Sequence, residues 1–124
     1  MVLKNSNHPM QGEIWLFDPD PIRGNEIGKK IRPCLIISND LWNKNRSGLV
    51  IVIPLTRVDK EILTHIKMTP PEGGLNVESF VMCEQIRSIS RERLIKKMGQ
   101  VTQHQTLESI ESWIHDLIKI GISS

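Results

Sequence analysis

The chain has 124 residues, a formal net charge of +2 and a pI near 8.7. That length allows one domain with a modest core, and the mild basicity alone is weak support for a nucleic-acid partner. Its two cysteines both sit in apolar runs, as buried reduced thiols do, and no apolar run approaches a membrane span.

The N-terminus is polar and lacks the apolar stretch of a secretory signal, so a cytoplasmic protein is expected. Residues 1–11 read as a flexible tail and 12–122 as a single domain. Residues 12–17 form a first strand, broken by Asp18-Pro19-Asp20-Pro21. A charged, glycine-bearing loop follows and leads into Ile31-Arg32-Pro33-Cys34-Leu35-Ile36-Ile37-Ser38. Pro33 biases Arg32 toward extended backbone, and the apolar run after it reads as a buried strand over 32–38. Residues 39–48 are a polar connection. The next strand, Leu49-Val50-Ile51-Val52-Ile53-Pro54-Leu55-Thr56, carries a proline expected at a sheet edge or bulge.

Residues 64–68 alternate as a strand does, and Pro70-Pro71-Glu72-Gly73-Gly74 is a turn. A strand over 79–83 runs into Glu84-Gln85-Ile86-Arg87-Ser88-Ile89. Residues 91–96 read as one short helical turn and 98–101 as a last short strand. Thr102-Gln103-His104-Gln105 has the form of a capping box, Leu107, Ile110, Trp113 or Ile114, and Leu117 recur at helical spacing, and Gly121 is a natural stop. Short strands at close spacing with one terminal helix predict a mainly β fold, a small, strongly bent β-barrel with a C-terminal α-helix.

Charge is polarised along the chain. Residues 23–32 hold four cations against one acid and 87–97 five against one, which suits an anionic ligand on one side. Arg32 and Thr56 put a permanent cation and a hydroxyl each at a strand end, where they can meet over one cleft. The scattered histidines and two cysteines have no metal-ligand spacing, and no phosphate-binding glycine motif or nucleophile elbow is present, so no metal or other cofactor is expected. Of the four histidines only His65 is expected near the cleft.

Taken in order, Gly12-Glu13-Ile14-Trp15, Arg23-Gly24-Asn25-Glu26, Arg32-Pro33 with its strand, Ser38-Asn39-Asp40, Pro54-Leu55-Thr56 and Cys83-Glu84-Gln85-Ile86-Arg87-Ser88-Ile89 resemble the toxin family of MazF, PemK and Kid, over roughly residues 11–120. The stretch from Glu26 to Arg32 is one residue longer than the family pattern. The resemblance implies an SH3-like barrel, a homodimer, metal-independent cleavage of single-stranded RNA at short sequences, and inhibition by a partly disordered acidic antitoxin. It also implies catalytic roles for Arg32 and Thr56.

Cleavage without a metal needs a base for the ribose 2′-OH, cationic stabilisation of the phosphorane and a proton for the leaving oxygen. Arg32 offers a planar cation that fits phosphate oxygens. A guanidinium pKa above about 12 makes a poor base, so Glu26 is the better nominal base. Arg23, Lys29, Lys30, Lys44 and Arg46 are the candidate RNA-backbone contacts, Asn25 a further RNA-binding candidate, Trp42 a base-stacking surface and Gln85 a reader of a base edge. The rival readings are a non-enzymatic toxin on the same barrel that binds DNA gyrase, as the CcdB toxins do, and an inert binding module.

Overall fold

The computed structural model describes residues 8–19 and 31–121. Seven strands and one helix follow in order: β1 (Glu13–Phe17), β2 (Arg32–Ile36), β3 (Leu49–Thr56), β4 (His65–Met68), β5 (Ser79–Met82), β6 (Arg87–Ser90), β7 (Leu94–Gln100) and α1 (His104–Ile118). The sheet runs β4-β5-β3-β2-β1-β7, every pairing is antiparallel, and β6 also pairs with β3. The mainly β architecture with a C-terminal helix is the one the sequence predicts.

The sheet folds around two apolar clusters because its strands alternate faces. Ile14, Leu35, Ile53, Leu55 and Val81 point one way, and α1 lays Ile110, Leu107, Trp113 and Ile114 over them. Phe17, Cys34, Ile36, Val50 and Val52 point the other way and close against Ile89, Leu94 and Trp15. Strand β3 is the hinge of the arrangement. Its residues 49–52 pair with β6 and its residues 55 and 56 with β5. Pro54 sits where that edge changes partner, a place where a residue without an N–H forfeits little, while its other edge stays paired with β2 at Cys34. The proline therefore marks a change of partner inside the sheet.

Three local expectations are corrected. The strand read over 79–83 ends at Met82, and Cys83–Gln85 is a 3₁₀ turn, which lets the chain leave β5 and rejoin β3 as β6. The helical turn read over 91–96 is a 3₁₀ turn confined to Arg91–Arg93, and Leu94 to Gln100 is all strand, held by pairing with β1 across two register shifts. The capping box at the start of α1 does not form. Gln103 is the N-cap and its side chain makes no cap bond; the Glu72 carboxylate instead accepts the Thr102 N–H, the Thr102 hydroxyl and the Gln103 N–H at 2.7, 2.7 and 2.8 Å. The helix ends at Ile118, before Gly121. Among the described residues no helix is long and apolar enough to cross a membrane.

Candidate active site

The register of β2 on β3 assembles the site. Leu35 faces Ile53 and Cys34 faces Pro54. Carrying that register two residues further sets Arg32 opposite Thr56, on one face of the sheet. The neighbouring ladders extend the row, with Phe17 facing Arg32 and Phe80 facing Thr56. Arg32 is exposed and Thr56 half-buried, and both line one open cavity of about 300 Å³ with Pro33, Leu55, Arg57 and Ser79. The cation and the hydroxyl that the sequence separates by more than a strand thus share one cleft.

The Thr56 hydroxyl oxygen accepts the Val58 N–H at 3.2 Å, which fixes its side chain and leaves its own proton to donate. Arg57 supplies a second exposed cation to the cavity, and Ser79 a buried hydroxyl that donates to the Val77 carbonyl at 3.0 Å. Sequence reasoning passed over both. Arg57 follows Thr56 directly, but strict strand alternation would have turned it to the other face; β3 ends at Thr56, so the alternation stops there. Ser79 joins only through the pairing of β5 with β3.

Other candidates lie elsewhere. Trp42 and Lys44 belong to a 3₁₀ turn at the closed end of the β2–β3 hairpin, and Arg46 follows it. All three are exposed, and the length of β3, roughly 25 Å at about 3.3 Å per residue, separates them from the Arg32 end. Gln85 is exposed in the turn between β5 and β6. None of these four lines the cavity with Arg32. Arg23, Asn25, Glu26, Lys29 and Lys30 lie outside the described residues.

His65 does not line the Arg32 cavity either. Its side chain is only 3% exposed, with Nε2 2.9 Å from Glu84 Oε2, and its Nδ1 is buried without a partner. The other Glu84 oxygen accepts the Thr64 hydroxyl at 2.5 Å. Burial works to raise the Glu84 carboxyl, but the Thr64 and His65 hydrogen bonds prevail and hold it below its ordinary value of 4.5. This histidine anchors the turn that carries Gln85.

The first strand carries a buried carboxylate. Glu13 accepts the Met10 N–H at 2.9 Å and the Trp15 indole N–H at 2.8 Å, and its other oxygen lies 3.0 Å from Lys97 Nζ. Burial again pushes upward, and the two N–H groups with Lys97 outweigh it and keep this carboxyl below 4.5.

The model of the PemK-like, MazF-like toxins of type II toxin–antitoxin systems matches residues 10–118. Endoribonuclease MazF9 of Mycobacterium tuberculosis is 36% identical over 97 residues, which cover 74% of this chain and 81% of that protein. Endoribonuclease MazF of Staphylococcus saprophyticus is 31% identical over 99 residues, 79% of this chain and 82% of its own. Among solved structures, MazF from Deinococcus radiodurans superposes with a TM-score of 0.74 at 22% identity, covering 90% of this chain and 97% of that one. A mycobacterial endoribonuclease in complex with its cognate antitoxin gives 0.69 at 21%, covering 94% and 99%. At those identities the structures speak for the fold.

Proposed function

The chain belongs to the PemK-like, MazF-like toxins of type II toxin–antitoxin systems as an endoribonuclease of that family, and we propose that it cuts single-stranded RNA at a short recognition sequence without a metal ion. The observation that carries this reading is the meeting of Arg32 and Thr56 in one cavity open to solvent. The ribose 2′-OH gives up its proton and its oxygen attacks the adjacent phosphorus. The bond from phosphorus to the 5′-oxygen breaks, and that oxygen takes a proton. The products are a 2′,3′-cyclic phosphate and a 5′-OH.

Arg32 is the group suited to the charge that builds on the non-bridging oxygens, because its planar donors match two of them at once. Thr56 donates its free proton to the same oxygens, and Arg57 adds a cation beside them. Glu26 is the proposed base. Arg23, Asn25, Lys29 and Lys30 are proposed to hold backbone phosphates near the cut. Lys44, Arg46, Trp42 and Gln85 would meet the strand further along, so the RNA is extended rather than confined to one pocket.

The proposed partners follow from the same family. An acidic antitoxin segment competes with RNA for the basic surface, and salt weakens both interactions. A homodimer fits the apolar residues left in solvent, Leu41 at 85% exposure, Ile118 at 70% and Ile120 at 85%. Action on RNA places the protein in the cytoplasm.

The test is a gel assay with a long single-stranded RNA in excess EDTA, run beside Arg32→Ala. Discrete cuts with cyclic-phosphate and 5′-OH ends, absent from a folded Arg32→Ala protein, are the expected result. Intact RNA after exposure to folded wild type, with gyrase recovered in a pull-down, would replace the ribonuclease by a protein-binding toxin.

A further inference from the structure

The pairing of β4, β5 and β3 brings a buried histidine onto the face of the sheet that carries Thr56. Phe80 faces Thr56, and His65 faces Met82, two residues further along β5. Opposed residues of an antiparallel pair share a face, as do residues two apart on one strand. His65 therefore stands on the Thr56 side of the sheet, while its neighbour Ile66 packs into the core with Ile110 of α1. The turn between β5 and β6 spans the same stretch of β3. Strand β5 pairs with β3 as far as Leu55, β6 starts from Val52, and Cys83–Gln85 bridges the gap at Ile53 and Pro54. Thr56 lies two to three residues beyond that gap, about 7–10 Å at about 3.3 Å per residue, a span that one or two nucleotides of an extended strand cover.

The turn is held from β4 and from the core. The Thr64 carbonyl accepts the Cys83 N–H at 3.3 Å. Glu84 accepts the Thr64 hydroxyl on one oxygen, and its other oxygen lies 2.9 Å from His65 Nε2. His65 Nδ1 is buried with no partner among the described residues, so the neutral ring carries its one proton on Nε2 and gives it to Glu84. That bond is the single polar contact of the imidazole among the described residues. On the other side of the turn, Cys83 and Ile86 pack into the core with Ile110. Between these anchors Gln85 is exposed, and its side chain makes no hydrogen bond to a described residue. A free carboxamide offers a donor and an acceptor side by side, the combination that matches the edge of an unstacked base.

We infer, on the reading of the chain as an enzyme that cuts single-stranded RNA, that His65 is a positioning residue for base choice: through Glu84 it holds the Cys83–Gln85 turn so that the Gln85 carboxamide meets a base beside the cut. The imidazole itself touches no RNA, because its side chain is buried. It acts on specificity and not on the chemistry, since the pairing of β2 with β3 places Arg32 and Thr56 without help from this turn. A carboxamide on a fixed turn loses less freedom on meeting a base than one on a loose turn. Held in one place, it also penalises a mismatched base, whose edge leaves polar groups unpaired.

The experiment uses the full chain and a pool of single-stranded RNA of randomised sequence, with the cut ends sequenced and steady-state rates measured on single RNAs. Gln85→Ala identifies the position that Gln85 reads, as the one whose base preference is lost. His65→Ala should lose preference at that same position and at no other, with KM on the preferred RNA raised about tenfold and kcat changed by less than about twofold. The double variant should be no worse than Gln85→Ala alone, because the histidine acts only through the glutamine. His65→Gln keeps an N–H at the reach of Nε2 and should restore the preference, whereas His65→Asn is too short and should not. Circular dichroism checks that each variant folds; if His65→Ala does not, the Gln and Asn variants carry the comparison. Unaltered preference in Gln85→Ala or in His65→Ala, loss at two different positions, additive losses in the double variant, or equal behaviour of the Gln and Asn variants would each overturn the inference. RNA left whole by folded wild type is a separate result: it removes the ribonuclease reading, and the role of His65 with it.

Discussion

Glu72 caps α1 from a turn far upstream: Thr102, thirty residues later, gives both its N–H and its hydroxyl to the Glu72 carboxylate at 2.7 Å. The carboxylate also sits at the positive end of the helix dipole. Glu72→Ala removes the acceptor for two N–H groups that no side chain of the N-cap replaces. A loss of about 1–2 kcal/mol is expected, seen as a fall of roughly 5 °C in Tm by far-UV circular dichroism at neutral pH. An unchanged Tm would mean that water caps the helix equally well.

The same carboxylate shares a pH signature with two others. At Glu13, Glu72 and Glu84 burial acts upward, yet hydrogen bonds hold each carboxyl below 4.5 in the folded chain. The unfolded chain therefore takes up protons at a higher pH than the folded one. The stability these groups contribute is complete above their ordinary pKa and drains away as pH falls through the folded values. Urea midpoints should be level from neutrality to about pH 5 and decline below it. Glu13→Gln should lower the midpoint at neutral pH and reduce the acid decline, because one of the three linked protons is gone. Equal wild-type midpoints at pH 7 and pH 3 would contradict the linkage.

Thr56 separates shape from hydrogen bonding. Thr56→Val keeps the branched β carbon that suits the end of β3 and deletes the donor facing the cavity. Its kcat should fall by about 10²-fold, the usual scale for one lost donor to a developing oxyanion, with KM little changed. Thr56→Ser should recover most of that rate. Arg57→Ala should do the opposite and raise KM several-fold with little loss of kcat, because a cation beside the scissile phosphate binds ground and transition states alike. Single-turnover and steady-state cleavage of one short RNA would distinguish the two patterns. A Val variant as active as wild type removes Thr56 from the chemistry.

How much of this was legible in sequence depends on the range of the interaction. The apolar run from Leu49 to Thr56 is bounded by Gly48 and Arg57, and β3 has those ends. Arg32 and Thr56 were readable as strand-end residues, and their meeting needed only antiparallel pairing of neighbouring strands. Only the end of β7 was readable, as a short strand over 98–101; its residues 94–97 were not, because Ile95, Lys96 and Lys97 are all exposed and break any alternation, and β1 imposes the strand through long-range pairing with two shifts of register. The Glu72 cap was hidden for the same reason, and Thr102, which looked like half of a local box, spends its hydroxyl on a distant acid. Ser79 entered the cleft only when β5 paired with β3. The neighbourhood proposed around Glu26 lies outside the described residues.

The two cysteines report on which part of the sheet opens first. Burial pushes the Cys34 thiol up to about 12 and Cys83 up to about 11, the latter with help from the neighbouring Glu84 charge. The thiolate is the reactive form, so neither residue reacts from the closed fold at mildly alkaline pH. Modification by a disulfide reagent at about pH 8 should be slow in the native protein and immediate for both thiols in denaturant. Cys34 is held between β1 and β3, facing Trp15 and Pro54. Cys83 sits in a three-residue turn whose N–H bond to the Thr64 carbonyl is long, 3.3 Å. Local opening of that turn should therefore expose Cys83 first, and peptide mapping of the singly modified protein should find the label there. His65→Ala, which frees Glu84 and loosens the turn, should accelerate Cys83 and leave Cys34 slow. Equal labelling of the two thiols throughout would mean that they are exposed only by global unfolding, and would remove the 83–85 turn as an independent mobile unit.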